Sequence, residues 1–164
     1  MDHNSKVLSK MLIGWQEWCA LPEFDIAYIK AKIDTGAKTS SLHAFNIKEF
    51  RKNNQKYVSF EIHPIQDDND IVIKAKAKVI DQRNVMSSNG HKELRYVITT
   101  DLILGSAIIP IELTLSNRDP LRFRMLLGRD ALSISSVIDP AKKNCLGKKS
   151  RRAVWSFYKK KISG

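Results

Sequence analysis

Residues 71–80, IVIKAKAKVI, set Ile71, Ile73, Ala75, Ala77 and Val79 in alternation with Lys74, Lys76 and Lys78. A period of two puts the apolar set on one face of an extended chain and the ammonium groups on the other, whereas a helix would scatter both around its surface. The alternation recurs in YVSFEIHPI (57–65), where Val58, Phe60 and Ile62 share a face, and strand character continues through LRYVITTDLIL (94–104), AIIPIELTL (107–115) and LRFRMLL (121–127). IGWQEWCALPEF and AYIKAKID supply two further strands around a Pro-containing turn. Many short strands separated by turns predict an all-β barrel or sandwich. Pro110 has no N–H to give to a ladder, so its strand is expected at an edge or a bulge. Helix is expected only as short pieces at 46–53, at 131–137 and in SFYKKK near the end.

A length of 164 residues, 43% hydrophobic and 27% charged, suits one domain that buries a core without disulfides or metal. The two cysteines, Cys19 and Cys145, have no paired spacing and read as free thiols, Cys19 in the core. No apolar run is long enough for a signal-peptide core or a membrane span, so a cytoplasmic protein with no membrane contact is expected. The net charge of +11 is unevenly placed: residues 142–164 hold nine basic side chains and no acidic one, leaving +2 for residues 1–141. We therefore divide the chain into an N-terminal extension (1–12), a domain (13–141) and a basic tail (142–164). In the tail Trp155, Phe157 and Tyr158 are interleaved with cations, a pattern shared by RNA-binding segments and by termini that pack their aromatics on a domain.

Two turns carry more information. KAKIDTGAKTSSLHAF (30–45) ends an alternating strand in Asp34-Thr35-Gly36, which alone is a weak motif, since Asp and Gly are common turn residues. NVMSSNGHKELRYVI holds Asn89-Gly90, a strong hairpin signal because both residues tolerate positive φ. Its long arms suit a hairpin that projects from the sheet as a mobile cover.

The order of Asp-Thr-Gly-Ala (34–37), a central hairpin and RMLLGRDAL (124–132) resembles the retropepsin-like aspartic proteases. IGWQEWCALPEFDIAYIKAKIDTGAKTSSLHAFNI with SSNGHKELRYVI and LLGRDAL is similar, over roughly residues 13–140, to the bacterial branch known under the label of ATP-dependent zinc proteases. The resemblance implies a closed β-barrel with a flap hairpin and little helix, and an aspartic endopeptidase. It implies Asp34, Thr35 and Gly36 as the catalytic loop, with Thr35 locking two such loops together. Ala37, Lys38 and Thr39, with Ser88, Asn89, Gly90 and His91 of the flap, would contact substrate, and Leu126, Leu127, Gly128, Arg129 and Asp130 would support the loop.

Aspartic proteolysis needs two carboxylates sharing a proton, and one Asp-Thr-Gly per chain therefore implies a homodimer. Neither zinc nor ATP has a visible basis, because His3, His43, His63 and His91 lack ligand spacing and no phosphate-binding loop is present; no metal and no cofactor are expected. His43, just past the loop, reads as structural or as a substrate contact. Viral relatives carry an acid where Lys38 stands, so Arg129 loses that partner, and Asp130 becomes the nearest candidate to pair with Lys38. Lys38 and the basic tail favour an acidic peptide or protein substrate. Relatives in this branch are often encoded beside glutamate ligases, which points to tails carrying added glutamates. The rival reading is a non-catalytic module of the same fold that binds peptide, RNA or the ribosome.

Overall fold

The computed structural model describes residues 9–86, 89–117 and 122–163. Its strands are β1 (Met11–Ile13), β2 (Gln16–Leu21), β3 (Ile26–Ile33), β4 (Ser40–His43), β5 (Phe45–Lys52), β6 (Gln55–Ile62), β7 (Ile73–Lys78), β8 (Asp81–Met86), β9 (Lys92–Leu104), β10 (Ala107–Ser116), β11 (Met125–Leu127) and β12 (Ser136–Ile138). The helices are α1 (Arg129–Leu132) and α2 (Arg151–Ser163). The main sheet runs β10-β4-β11-β3-β2-β9-β8, and β10 also pairs with β9. That extra pairing closes the first six strands into a barrel and leaves β8 outside it. The expected all-β barrel with little helix is thus present. β5, β6 and β7 form a separate three-stranded sheet, and β1 pairs with β12 in parallel.

Alternation decides which face is buried. In β3, Ile29 and Ala31 are wholly buried while Tyr28, Lys30 and Lys32 point outward. Ile98, Leu102, Leu104, Leu113 and Leu127 complete the barrel core with Leu42 and Ile29. Pro110 faces Asp101 across β9–β10, and Asp101 donates its N–H to the Glu23 carboxylate, away from the proline. β10 meets β4 only from Leu113 onward, so Pro110 sits on an open stretch of edge, as its missing N–H requires.

Three expectations about helix change. Residues 46–53 lie mostly in β5, and their spacing of three between Ile47 and Phe50 comes from a bulge in the β5–β6 register between Phe45 and Lys48, with Asn46 at φ 50°. At 131–137 the helix is limited to the end of α1, and the chain then extends into β12. SFYKKK belongs to α2, thirteen residues long, which packs Val154 and Tyr158 against the barrel. The Tyr158 hydroxyl donates to the Tyr28 carbonyl at 2.5 Å and accepts from the Tyr28 N–H at 3.0 Å.

The segment between β12 and α2 is tied down by Glu17. This wholly buried carboxylate accepts the Gly14 N–H at 2.7 Å, the Cys145 N–H at 2.9 Å and the Leu146 N–H at 3.0 Å. A buried charge is tolerable when donors surround it in this way. The boundary drawn at 141 therefore falls just before residues held on β2.

Candidate active site

The Asp34 loop begins where β3 stops. β11 runs parallel to β3 with Leu127 opposite Ile33, and the Leu127 carbonyl accepts the Asp34 N–H at 2.9 Å. On the other side the Trp15 carbonyl accepts the Ile33 N–H at 2.9 Å. The end of β3 is thus gripped from both flanks, which fixes where the carboxylate leaves the sheet.

Beyond it the chain turns sharply. The Asp34 carbonyl accepts the Ala37 N–H at 3.2 Å, and Asp34 Oδ1 accepts the Gly36 N–H at 3.1 Å. The turn is then clamped by the start of α1, since the Arg129 N–H donates to the Ala37 carbonyl at 2.8 Å and the Asp130 N–H to the Lys38 carbonyl at 3.0 Å. The Arg129 guanidinium reaches further and donates to the Thr35 carbonyl at 2.9 Å. Gly128 donates its N–H to the Ser40 hydroxyl at 3.0 Å, and a Cβ at 128 would stand 2.7 Å from the Thr39 carbonyl carbon. Backbone contact that close explains the glycine between Leu127 and Arg129.

The structure therefore brings together Asp34, Thr35, Gly36, Ala37, Lys38 and Thr39 with Leu127, Gly128, Arg129 and Asp130. The partnership foreseen for Lys38 and Asp130 is corrected in kind: it is a backbone hydrogen bond, and among the described residues no ion pair joins their side chains. Arg129 serves a carbonyl of the loop, which is how it does without an acidic partner. Thr35, Gly36 and Lys38 are exposed, and Asp34 is half-buried. His43 stacks with Phe45, whose ring lies 4.3 Å from that of His63. Among the described residues no three His, Cys, Asp or Glu side chains gather as a metal site.

The Asn89-Gly90 hairpin joins β8 and β9, with Met86 opposite Lys92 and Gly90 at φ 84°. β10 accompanies β9 only as far as Val97, so residues 92–96 pair with β8 alone and form a two-stranded ribbon beyond the barrel. Ser88 lies outside the described residues; Asn89, Gly90 and His91 are exposed at the tip. Sequence reasoning missed Met86 and Leu94, which lie on one face of the ribbon and are 63% and 60% exposed. Their signal was an apolar residue on each arm beside the turn. The ribbon is braced by Arg83 on Glu112 at 2.9 Å and, nearer its tip, by the Glu93 carboxylate, which accepts the Asn117 N–H at 3.1 Å.

No helix among the described residues is long and apolar enough to cross a membrane. The chain is 47% identical over 150 residues to a Shewanella pealeana protein named probable alpha-L-glutamate ligase, an overlap that covers 92% of this chain and 33% of that protein. A Desulfotalea psychrophila protein of the same name is 46% identical over 156 residues, covering 95% of this chain and 34% of its own length. The chain thus spans about a third of the length of these curated relatives. A crystal structure of a Legionella pneumophila protein of unknown function superposes with a TM-score of 0.68 at 28% identity, covering 84% of this chain and 99% of that one. The family model described as retropepsin-like aspartic endopeptidase RimB matches residues 12–149, and the chain belongs to this RimB-like family.

Proposed function

We propose that the protein is an aspartic endopeptidase that works as a homodimer, Asp34 of each subunit supplying one of two carboxylates, and that it cleaves acidic, glutamate-bearing chains. The observation that carries this reading is the Asp34 loop itself: a carboxylate at a strand end, gripped by β11 on one side and the Trp15 carbonyl on the other and clamped by α1, yet open to solvent. One such loop provides one carboxylate, and water activation requires a base and an acid together. A second copy across a two-fold axis supplies the other. An apolar surface suited to such a neighbour lies past α1, where Leu12, Ile134 and Val137 are 47%, 67% and 53% exposed.

In the mechanism, one Asp34 carboxylate takes a proton from water as the water attacks the scissile carbonyl, while the protonated Asp34 of the other subunit donates to the carbonyl oxygen. Collapse of the tetrahedral species returns a proton to the leaving nitrogen. The hairpin ribbon covers substrate with Met86 and Leu94 and excludes water.

The glutamate preference rests on exposed Lys38 beside the loop and on the ligase name of the relatives. An exposed cation–carboxylate contact is worth at most about 1 kcal/mol, or roughly fivefold in rate. Glutamate-rich peptides are expected to be cleaved up to about fivefold faster than matched glutamine-rich ones, and Lys38→Asp should erase that gap. Cleavage followed by mass spectrometry decides it, with sedimentation reporting the dimer. Equal rates on both peptides overturn the acidic preference, and a stable dimer that cleaves neither is a binding module.

The ribbon gives a further expectation. Amide exchange across residues 86–95 should slow when a non-cleavable peptide occupies the cleft, because lids order on closing. Equal exchange with and without that peptide would make the segment an ordinary hairpin.

A further inference from the structure

Outside the catalytic loop, the outer face of β3 gathers cations from four separate stretches of chain. Tyr28, Lys30 and Lys32 stand in a row along it, and Lys30 lies over the Trp18 ring of β2 at 5.2 Å. Trp15 packs edge-on against Phe123, which carries Arg122 at 5.7 Å. The Lys142 carbonyl accepts the Trp15 N–H, which sets Lys143 at the same end of the face. Lys149 covers Tyr28 at 5.4 Å, and a cleft of about 380 Å³ between Tyr28 and α2 is rimmed by Lys149 and Lys160.

These cations crowd one another. Burial, and after it the charges of Arg122, Lys143 and Arg151, hold the Lys30 ammonium below its ordinary range, with Asp67 opposing. Among the described residues no carboxylate lies within ion-pair distance of Lys30, Arg122, Lys143, Lys149 or Arg151. Lys142 and Lys161 differ, being matched by Asp139 and Asp25. A surface that concentrates unmatched charge of one sign is complementary to a polyanion.

We propose that this face is a docking site for an acidic peptide chain, holding the glutamate-rich part of a substrate outside the cleft while Asp34 acts on the same chain. The proposal rests on the peptidase reading above and extends it to a second contact region. Lys30 stands four positions before Asp34, about 13 Å along an extended chain, a reach that four residues of extended substrate also span. The rings argue for a peptide over RNA. Trp18, Tyr28 and Phe123 each have a cation over a face, as do Trp155 under Lys159 and Phe157 under Lys161. Base stacking needs open ring faces, whereas a carboxylate chain needs only the ammonium and guanidinium groups.

The test measures binding apart from cleavage. A fluorescein-labelled oligoglutamate of about 12 residues is titrated into full-length Asp34→Asn protein, and anisotropy is read at about 50 mM and 300 mM salt, since screening separates exposed-charge binding from the rest. The expected result is saturable binding that weakens at least tenfold in the higher salt and at least tenfold in the triple variant Arg122→Gln, Lys143→Gln, Arg151→Gln. The charge-keeping triple variant Arg122→Lys, Lys143→Arg, Arg151→Lys should bind within about twofold of the parent, so loss of charge and loss of fold are told apart. Undiminished binding by the neutral variant, or equal binding of oligoglutamine, overturns the proposal. Displacement of the peptide by a uridine oligonucleotide of equal length at lower concentration also overturns it and makes the face an RNA surface. Absence of cleavage by the wild-type chain would sink the peptidase reading and leave this binding result standing.

Discussion

Asp34→Asn should fold, dimerise and lose cleavage by about a thousandfold or more, because an amide cannot pass a proton between water and carbonyl. The fold should survive because Asp34 Oδ1 accepts the Gly36 N–H, a role the Asn carbonyl oxygen performs equally, and the Leu127 contact is made by backbone. The paired measurements are turnover of a glutamate-rich peptide and Tm, the latter within about 2 °C of the parent, a shift corresponding to no more than about 1 kcal/mol in a chain of this size. Wild-type turnover by the folded variant would exclude Asp34 as half of a dyad. Activity should also persist in EDTA; chelator-sensitive activity restored by zinc would require a different mechanism.

The second large effect concerns stability. Glu17→Gln keeps shape and burial but replaces one carboxylate oxygen with an NH₂ group. In the native side chain one oxygen accepts from Gly14 and Cys145 and the other from Leu146, so either orientation of the amide points a donor at a donor. Hydrogen bonds to a charged group are worth about 1.5–3 kcal/mol, and a buried N–H left unmatched adds its own cost. A loss of about 3 kcal/mol is expected, or roughly 6–12 °C in Tm. Thermal unfolding followed by circular dichroism checks it. A change below about 1 kcal/mol would show that water replaces the carboxylate at little cost. Amide exchange at Cys145 and Leu146 should rise sharply in the same variant.

What could be read in advance followed from local rules. Period-two alternation marked β3, β6, β7, β9 and β10 because each buries one face, and Asn89-Gly90 marked the β8–β9 turn because only certain residues accept its dihedrals. β5 escaped because a bulge breaks the alternation, and because its turn uses Asn53 and Asn54, at φ 54° and 61°, without a glycine. Asparagine tolerates that region too, so the pair was a hairpin signal passed over. Packing of the tail on the domain was one of two readings of its aromatics, and the full helix that does it was not legible, because α2 buries only Val154 and Tyr158, with Trp155 partly covered, among cations. The Asp34 loop was readable through the resemblance its motif completes, whereas its support was only half so: the resemblance put Gly128 and Arg129 beneath the loop, but charge matching suggested a side-chain pair where backbone hydrogen bonds suffice. Nothing local in WQEWCAL distinguishes Glu17 from a surface glutamate, since its three donors come from both sides of the chain.

The Glu17 contact is built on three peptide N–H groups, and this governs which sequences the linker tolerates. At position 145 the backbone N–H makes the grip, and the exposed thiol adds only a side-chain hydrogen bond to the same carboxylate, so many residues can replace the cysteine and keep the backbone contact. Proline is the exception. It alone brings no backbone hydrogen to the carboxylate, so at this site a single imino acid would leave the segment leading to α2 held by Leu146 and by the Asn144 N–H on the Gln16 carbonyl, with the Cys145 tie missing.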